Sequence, residues 1–163
     1  MAKRPKPKAV ENRTFLVIID RTEELKVALR FACLRALHTG GRVALLYVVE
    51  PVEGMHLMAV EKLMESESRE EAEQKLQEFS AKVVEWTGQM PAIHIREGRP
   101  LDELLKLIDE DPSISILVLG ADPGPKGPGP LVSALTGKHV AKLRVPLTIV
   151  PGNITDEQLD LLA

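Results

Sequence analysis

A loop with four glycines and four prolines stands between a predicted strand and a predicted helix, and its residue types suit anion binding. The glycines are at 120, 124, 127 and 129, and the prolines are at 123, 125, 128 and 130. In α/β proteins, a strand, a glycine-rich loop and a helix in this order hold phosphate groups through backbone N–H groups. The candidate ligand residues here are Gly120, Gly124, Lys126, Gly127 and Ser133.

The prolines of the same loop argue in the opposite direction. Four of the eleven residues from 120 to 130 are prolines, and a proline has no N–H group to donate. Two alternatives therefore remain open for the other groups. Lys126 could supply charge to an anion or be a solvated loop lysine, and the Ser133 hydroxyl could contact a phosphate or serve as a local helix cap.

Three further residues stand at the ends of predicted strands. Asp20 closes the apolar run of residues 14–20, Val48 lies near the end of the second strand, and Leu119 ends the fourth. Ligands of doubly wound sheets bind beyond the carboxyl ends of the strands, so we expect these residues in one cleft with Gly120. The alternative for Asp20 is that its carboxylate accepts hydrogen bonds from the following loop or helix.

No catalytic or metal-binding set is evident. The four histidines are scattered at 38, 56, 94 and 139, and the one cysteine, Cys33, falls on the apolar face of a predicted helix. A single cysteine excludes a disulfide or a cysteine-rich metal site within the chain. We expect a protein that is not an enzyme and has neither catalytic residues nor a metal site; weak ATP hydrolysis is the alternative.

Strand-like and helix-like segments alternate along the chain, which indicates a single doubly wound parallel sheet with helices on both faces. We predict that Thr22 caps the first helix and that Gly137 allows close packing of the fourth. The predicted strands are 14–20, 42–49, 92–96, 114–119 and 145–150. The predicted helices are 23–39, 61–87, a third that begins at 100 and ends between 109 and 112, and 131–143.

Composition and charge narrow the class of protein. The chain has 163 residues, a net charge of −3 and 3% aromatic residues, which argues against a nucleic-acid or membrane partner. We predict a flexible basic tail at 1–12, one α/β domain at 13–152 and a short amphipathic tail at 153–163. Because the N-terminal segment lacks the apolar core of a signal peptide, we expect a cytoplasmic location.

Four segments together resemble the universal stress protein family. They are the strand ending in Asp20, the segment GGRVALLYVVEP, the segment EGRPLDELLKLIDEDPSISILVLGA, and LRVPLTIVPG near the end. The resemblance implies a flavodoxin-like or Rossmann-like sheet of five strands in the order 3-2-1-4-5. It also implies homodimers paired through strand 5, residues 145–150, and in one branch the binding of ATP, with Mg²⁺, or of another adenine nucleotide.

The family's ATP-binding pattern matches this chain unevenly. Asp20, Val48 and Gly120 match residues that the resemblance places at the nucleotide. Residue 123 is a proline where the second glycine belongs, and Ser133-Ala134 stands where a Gly-Ser pair opens the last helix. We therefore predict a stress-response or regulatory homodimer with a remodelled site and weak or absent ATP binding. The alternatives are a genuine ATP- or AMP-binding protein using the loop from Gly120 to Ser133, and a ligand-free protein-interaction module.

Overall fold

The computed structural model describes residues 13–51 and 58–163, so the predicted tail at 1–12 lies outside the described residues. Five parallel strands form one sheet in the order β3-β2-β1-β4-β5, which confirms the predicted order. The strands are β1 Thr14–Ile18, β2 Arg42–Val49, β3 Ala92–Glu97, β4 Ile114–Ala121 and β5 Leu147–Pro151. The helices are α1 Glu24–Thr39, α2 Met58–Thr87, α3 Pro100–Glu110, α4 Pro130–Thr136 and α5 Asp156–Leu162.

The central strand β1 is buried along its whole length, because helices cover both faces of the sheet. Phe15 and Val17 join one core cluster with α1, the second half of α2, and α5. Leu16 and Ile18 point to the other face and pack with α3 and α4. Continuous apolar runs in β1 and β4 are therefore required by the architecture. The core on the α3 and α4 side is aliphatic, whereas the core on the α1 and α2 side also contains Phe15 and Phe79.

Two helices end where the sequence predicts. Gly40 closes α1 in the left-handed region with φ 69°, and Gly88 follows α2 with φ 74°. A glycine adopts these angles without the steric cost of a Cβ atom. Pro100 takes the first position of α3, where its missing N–H group leaves no hydrogen bond unmade.

Several local predictions were wrong; among them, β1 ends at Ile18 and β5 spans Leu147–Pro151. Thr22 does not cap α1, because its amide and hydroxyl groups both bond to Asp20. Strand β4 continues through Ala121, two residues further than predicted. The fourth helix stops at Thr136, and a short 3-10 helix, Val140–Lys142, follows it. Gly137 therefore marks a helix end rather than a close helix contact.

The C-terminal segment forms α5 and packs on the domain. Thr155 and Gln158 make a reciprocal capping box at its start, which satisfies two backbone donors that a helix start otherwise leaves free. Leu159 is fully buried in the core cluster that contains α1. No helix in the described ranges is long and apolar enough to cross a membrane.

Candidate functional site

A cleft of about 530 Å³ opens at the carboxyl edge of the sheet, where β1 and β4 lie side by side. This is the point at which the strand order reverses, since β1 leads outward to β2 on one side while β4 leads to β5 on the other. The cleft is bounded by the ends of β1, β2 and β4, the start of α1, the middle of α2 and the start of α4. Its floor is apolar and is formed mainly by buried strand residues.

Four of the predicted site residues line this cleft: Asp20, Val48, Leu119 and Gly120. The sheet topology brings them together. Asp20 Oδ1 accepts a hydrogen bond of 2.9 Å from the Thr22 amide and one of 2.6 Å from the Thr22 hydroxyl. The carboxylate thus fixes the turn between β1 and α1, as the structural alternative predicts, and Oδ1 already has two donors.

Gly120 has a structural reason to be glycine. A Cβ atom built on it would lie 2.6 Å from the carbonyl oxygen of Glu24 and 2.9 Å from its carbonyl carbon. Both contacts are with backbone, which cannot rotate away. The missing side chain therefore lets the start of α1 pack directly against β4.

The loop from Asp122 to Gly129 uses its amides internally. The Gly124 amide donates to Asp122 Oδ1 at 2.8 Å, and the Gly127 amide donates to the Gly124 carbonyl at 3.4 Å. The Asp122 amide donates to the Pro128 carbonyl at 3.3 Å. Since the prolines add no donors, the loop forms a closed turn rather than a ring of free N–H groups.

The other four predicted residues, Gly124, Lys126, Gly127 and Ser133, are absent from the cleft lining, and Pro128, Gly129 and the start of α4 take their place. Lys126 and Ser133 are exposed. The Ser133 amide donates to the Gly129 carbonyl at 3.0 Å, as a residue in the first turn of a helix does. The loop thus faces the cleft with its last residues rather than with its first glycines.

Sequence reasoning missed a polar group at the mouth of the cleft. Arg21, directly after Asp20, forms an ion pair of 2.6 Å with Glu71 of α2. Tyr47 of β2 lies beside them, and its pKa is raised by burial and by the charge of Glu71, against the opposing effect of Arg21. No local sequence pattern indicated this pair, because the two residues are 50 positions apart.

The described lining carries an excess of negative charge. Its acidic residues are Asp20, Glu24, Glu50 and Glu71, and its one basic residue, Arg21, is already paired with Glu71. An anionic ligand would meet these carboxylates without an unpaired cation from the lining. A ligand that is neutral where it meets this rim would avoid that repulsion.

The sequence as a whole matches a family model described as the universal stress protein family over residues 11–151. The chain belongs to the universal stress protein family. A comparison with curated protein sequences found no match. The family assignment agrees with the resemblance noted in the sequence and with the strand order that the resemblance implies.

Solved structures of universal stress proteins share the fold. The protein UspA from Lactobacillus plantarum is 19% identical with a TM-score of 0.72, and the alignment covers 85% of this chain and 97% of that one. A family member from Arabidopsis thaliana with AMP bound is 15% identical with a TM-score of 0.61, covering 89% and 94%. One from Archaeoglobus fulgidus in complex with dAMP is 16% identical with a TM-score of 0.58, covering 85% and 97%.

Proposed function

We propose that this universal stress domain acts as a regulatory binding protein whose cleft disfavours the phosphates of adenine nucleotides, so that ATP binds weakly or not at all. The observation that carries the proposal is the charge of the lining, with four carboxylates and one paired arginine. Two unit charges 4 Å apart in water interact by roughly 1 kcal/mol. Each phosphate charge added close to this rim therefore lowers affinity.

The loop supports the same proposal. A phosphate cradle needs several N–H groups converging on one point. In the loop, the amides of Asp122, Gly124 and Gly127 are engaged within the loop itself. Lys126, the cation that could compensate, is exposed and outside the lining.

The apolar floor of the cleft still suits the nucleoside part of such a ligand. Val17, Val48 and Leu119 present aliphatic surface there, and a base can pack on aliphatic side chains while its polar edge bonds to backbone groups. The proposal therefore predicts an order of affinity in which adenosine binds at least as well as AMP, and AMP binds better than ATP without Mg²⁺.

Calorimetric titration with these three ligands tests the order. Repeating the AMP titration at increasing salt concentrations gives a second, independent test. Salt screens repulsion, so the affinity for AMP should rise with ionic strength if the rim repels the phosphate, and fall if cationic or amide groups attract it. Saturable, tight binding of ATP that weakens with salt would overturn the proposal.

A second candidate function is genuine AMP or ATP binding, as in the relatives crystallised with AMP, cAMP and dAMP. One specific observation favours it. Leu131 and Val132 line the cleft at the start of α4, where the first amides of a helix have no partner within the helix. Under this second candidate, the cofactor is an adenine nucleotide, bound together with Mg²⁺ when phosphates are present. The titration described above separates the two candidates.

We also propose binding rather than catalysis, because in the described lining the hydroxyl of Thr22 donates to Asp20 only within the local turn between β1 and α1. An ATPase assay on the wild-type protein and an Asp20→Ala variant tests this. Turnover that is lost with Asp20 would contradict it. The homodimer through the fifth strand that the resemblance implies stays a prediction, and analytical ultracentrifugation of the wild-type protein and of an Ile149→Lys variant, changed at an exposed residue of β5, would test it.

A further inference from the structure

The acidic residues that line the cleft come from four separate elements of the fold. Asp20 comes after β1, Glu50 follows β2, Glu24 begins α1, and Glu71 lies in the middle of α2. Their charges therefore do not belong to one solvated helix face. The topology of the sheet brings them together around the carboxyl ends of the strands, which is where ligands of doubly wound sheets bind.

Three of these carboxylates have no cation beside them. In the part of the chain that the structure describes, Asp20, Glu24 and Glu50 form no ion pair, in contrast to Glu71. Glu50 is exposed at the rim, and Glu24 is half-buried. The rim therefore presents uncompensated negative charge to the part of a ligand that lies beside it.

The carboxylates surround an apolar space and are not arranged as a metal site. Within the described ranges, no group of three or more acidic, histidine or cysteine side chains could hold a metal ion. The cleft has a volume of about 530 Å³, which lies within the roughly 300–1,000 Å³ of small-molecule sites. An apolar floor below an acidic rim suits an organic molecule with an apolar body and one positively charged end.

We propose that the cleft binds a nucleoside that carries a positive charge, an ammonium or a sulfonium, on its 5′ carbon. This inference rests on the proposed function, in which the base packs on Val17, Val48 and Leu119 of the floor. The base and the 5′ carbon are attached on opposite sides of the ribose ring oxygen, so a base on the floor directs the 5′ group toward the rim. The position that holds a phosphate in AMP then holds a cation among carboxylates.

Glu50 is the acidic lining residue best suited to a test of this charge. Its side chain makes no ion pair or hydrogen bond with the described residues. Asp20, by contrast, fixes the turn before α1, and Glu24 lies against the backbone of Gly120. A substitution of Glu50 therefore changes the charge of the rim and leaves the packing around the cleft intact.

The first experiment compares adenosine, 5′-amino-5′-deoxyadenosine and butylamine by calorimetric titration at low salt. The two nucleosides differ in one group, a hydroxyl in place of an amine that is protonated at neutral pH. The amino nucleoside should bind at least about fivefold more tightly than adenosine, and this advantage should shrink as salt screens the attraction. Butylamine has the same charge and no base for the apolar floor, so it should bind at least about tenfold more weakly than the amino nucleoside.

The outcomes of this titration separate the inference from the proposed function. If adenosine binds and the amino nucleoside binds no more tightly, the inference is wrong and the proposed function stands. Butylamine binding as tightly as the amino nucleoside would also overturn the inference, because the floor would then contribute nothing. Failure of both nucleosides to bind would contradict the proposed function and the inference together.

The second experiment removes one charge from the rim. Glu50→Gln should weaken the binding of the amino nucleoside about fivefold more than it weakens that of adenosine. Glu97→Gln is the matched control, because Glu97 pairs with Val49 at the end of the neighbouring strand, is exposed and lies outside the lining. Circular dichroism confirms that both variants are folded. An equal effect of the two substitutions, or no selective loss with Glu50→Gln, would overturn the inference.

Discussion

The guanidinium of Arg21 lies 2.6 Å from the carboxylate of Glu71 and so joins the end of β1 to the middle of α2 at the mouth of the cleft. The two residues are 50 positions apart in the sequence. The pair ties up the one cation of the lining and leaves the other carboxylates uncompensated. Changing Glu71 is therefore the most direct way to alter the charge that a ligand meets.

Glu71→Gln should increase the affinity for AMP by about fivefold at low salt, corresponding to roughly 1 kcal/mol for one charge at close range. The substitution removes a negative charge and also frees Arg21. Calorimetric titration measures the change. Glu73→Gln, two residues along the same helix, exposed and outside the lining, is the matched control. Equal effects of the two substitutions would show that local charge in the cleft does not govern binding.

The ionisation of Tyr47 reports on the same pair. The pKa of Tyr47 is raised by burial first and by Glu71 second, and Tyr47 is the one tyrosine in the chain. Ultraviolet titration of tyrosinate absorbance should therefore give a single transition above pH 10 in the wild-type protein. In Glu71→Gln this transition should move to lower pH. An unchanged transition would place Glu71 too far from the phenol to act on it.

Gly120→Ala should destabilise the fold by about 1–3 kcal/mol, the usual cost of forcing a packed interior to move. The added methyl group would meet the backbone of Glu24 at 2.6 Å. Urea unfolding measures the loss. Gly124→Ala is the control, because its nearest neighbour is a side-chain oxygen of Asp122 at 3.0 Å, which can rotate. If the control loses as much stability as Gly120→Ala, the contact with Glu24 is not the cause.

Leu159→Ala should cost about 2–5 kcal/mol of unfolding free energy, because Leu159 is fully buried in the core beside α1. Leu161→Ala on the same helix, where the side chain is 89% exposed, should change stability by less than about 0.5 kcal/mol. Thermal or urea unfolding of the two variants makes the comparison. Similar values would mean that α5 does not pack as described.

Burial raises the pKa of the Cys33 thiol to about 12 from its ordinary value of 9.0. As the pH rises, the folded state therefore keeps the Cys33 thiol proton up to a higher pH than the unfolded state does. The stabilisation from the neutral thiol is complete below pH 9 and is lost as pH rises towards 12. In this window the thiol adds a slope of about −1.4 kcal/mol per pH unit to the stability curve.

Urea unfolding at several pH values tests this slope, with Cys33→Ala as the comparison. The wild-type and variant curves should run parallel below pH 9 and converge above it. A thiol reagent should also react with the wild-type protein after unfolding and not before. Parallel curves throughout the alkaline range would mean that the folded protein does not protect the thiol.

The fold could be predicted because its signals are local and repeated. Continuous apolar runs such as residues 14–18 indicate strands covered on both faces, and glycines such as Gly40 mark helix ends. Ligands of doubly wound sheets bind beyond the carboxyl ends of the strands, and this rule predicted that Asp20, Val48, Leu119 and Gly120 line one cleft. Each of these inferences depends on periodicity or on one topological rule, not on a particular side-chain contact.

The remaining features depend on contacts between distant segments. The pairing of Arg21 with Glu71 depends on where α2 crosses the sheet, which no local pattern fixes. The reason for Gly120 lies in the backbone of α1 rather than in its own loop. The hydrogen bond from Gly124 to Asp122 is an exception, because an aspartate two residues before a glycine is typical of such turns.

Glu24 is adjacent to two glycines that come from different parts of the chain. A Cβ atom on Gly152 would lie 2.6 Å from its Cβ atom, and one on Gly120 would lie 2.6 Å from its carbonyl oxygen. A larger residue at either position would displace the same turn of α1, so the effects of two substitutions should not add. Positions 120 and 152 are therefore epistatic: the first change to a larger residue carries most of the penalty and alters the space left for the second.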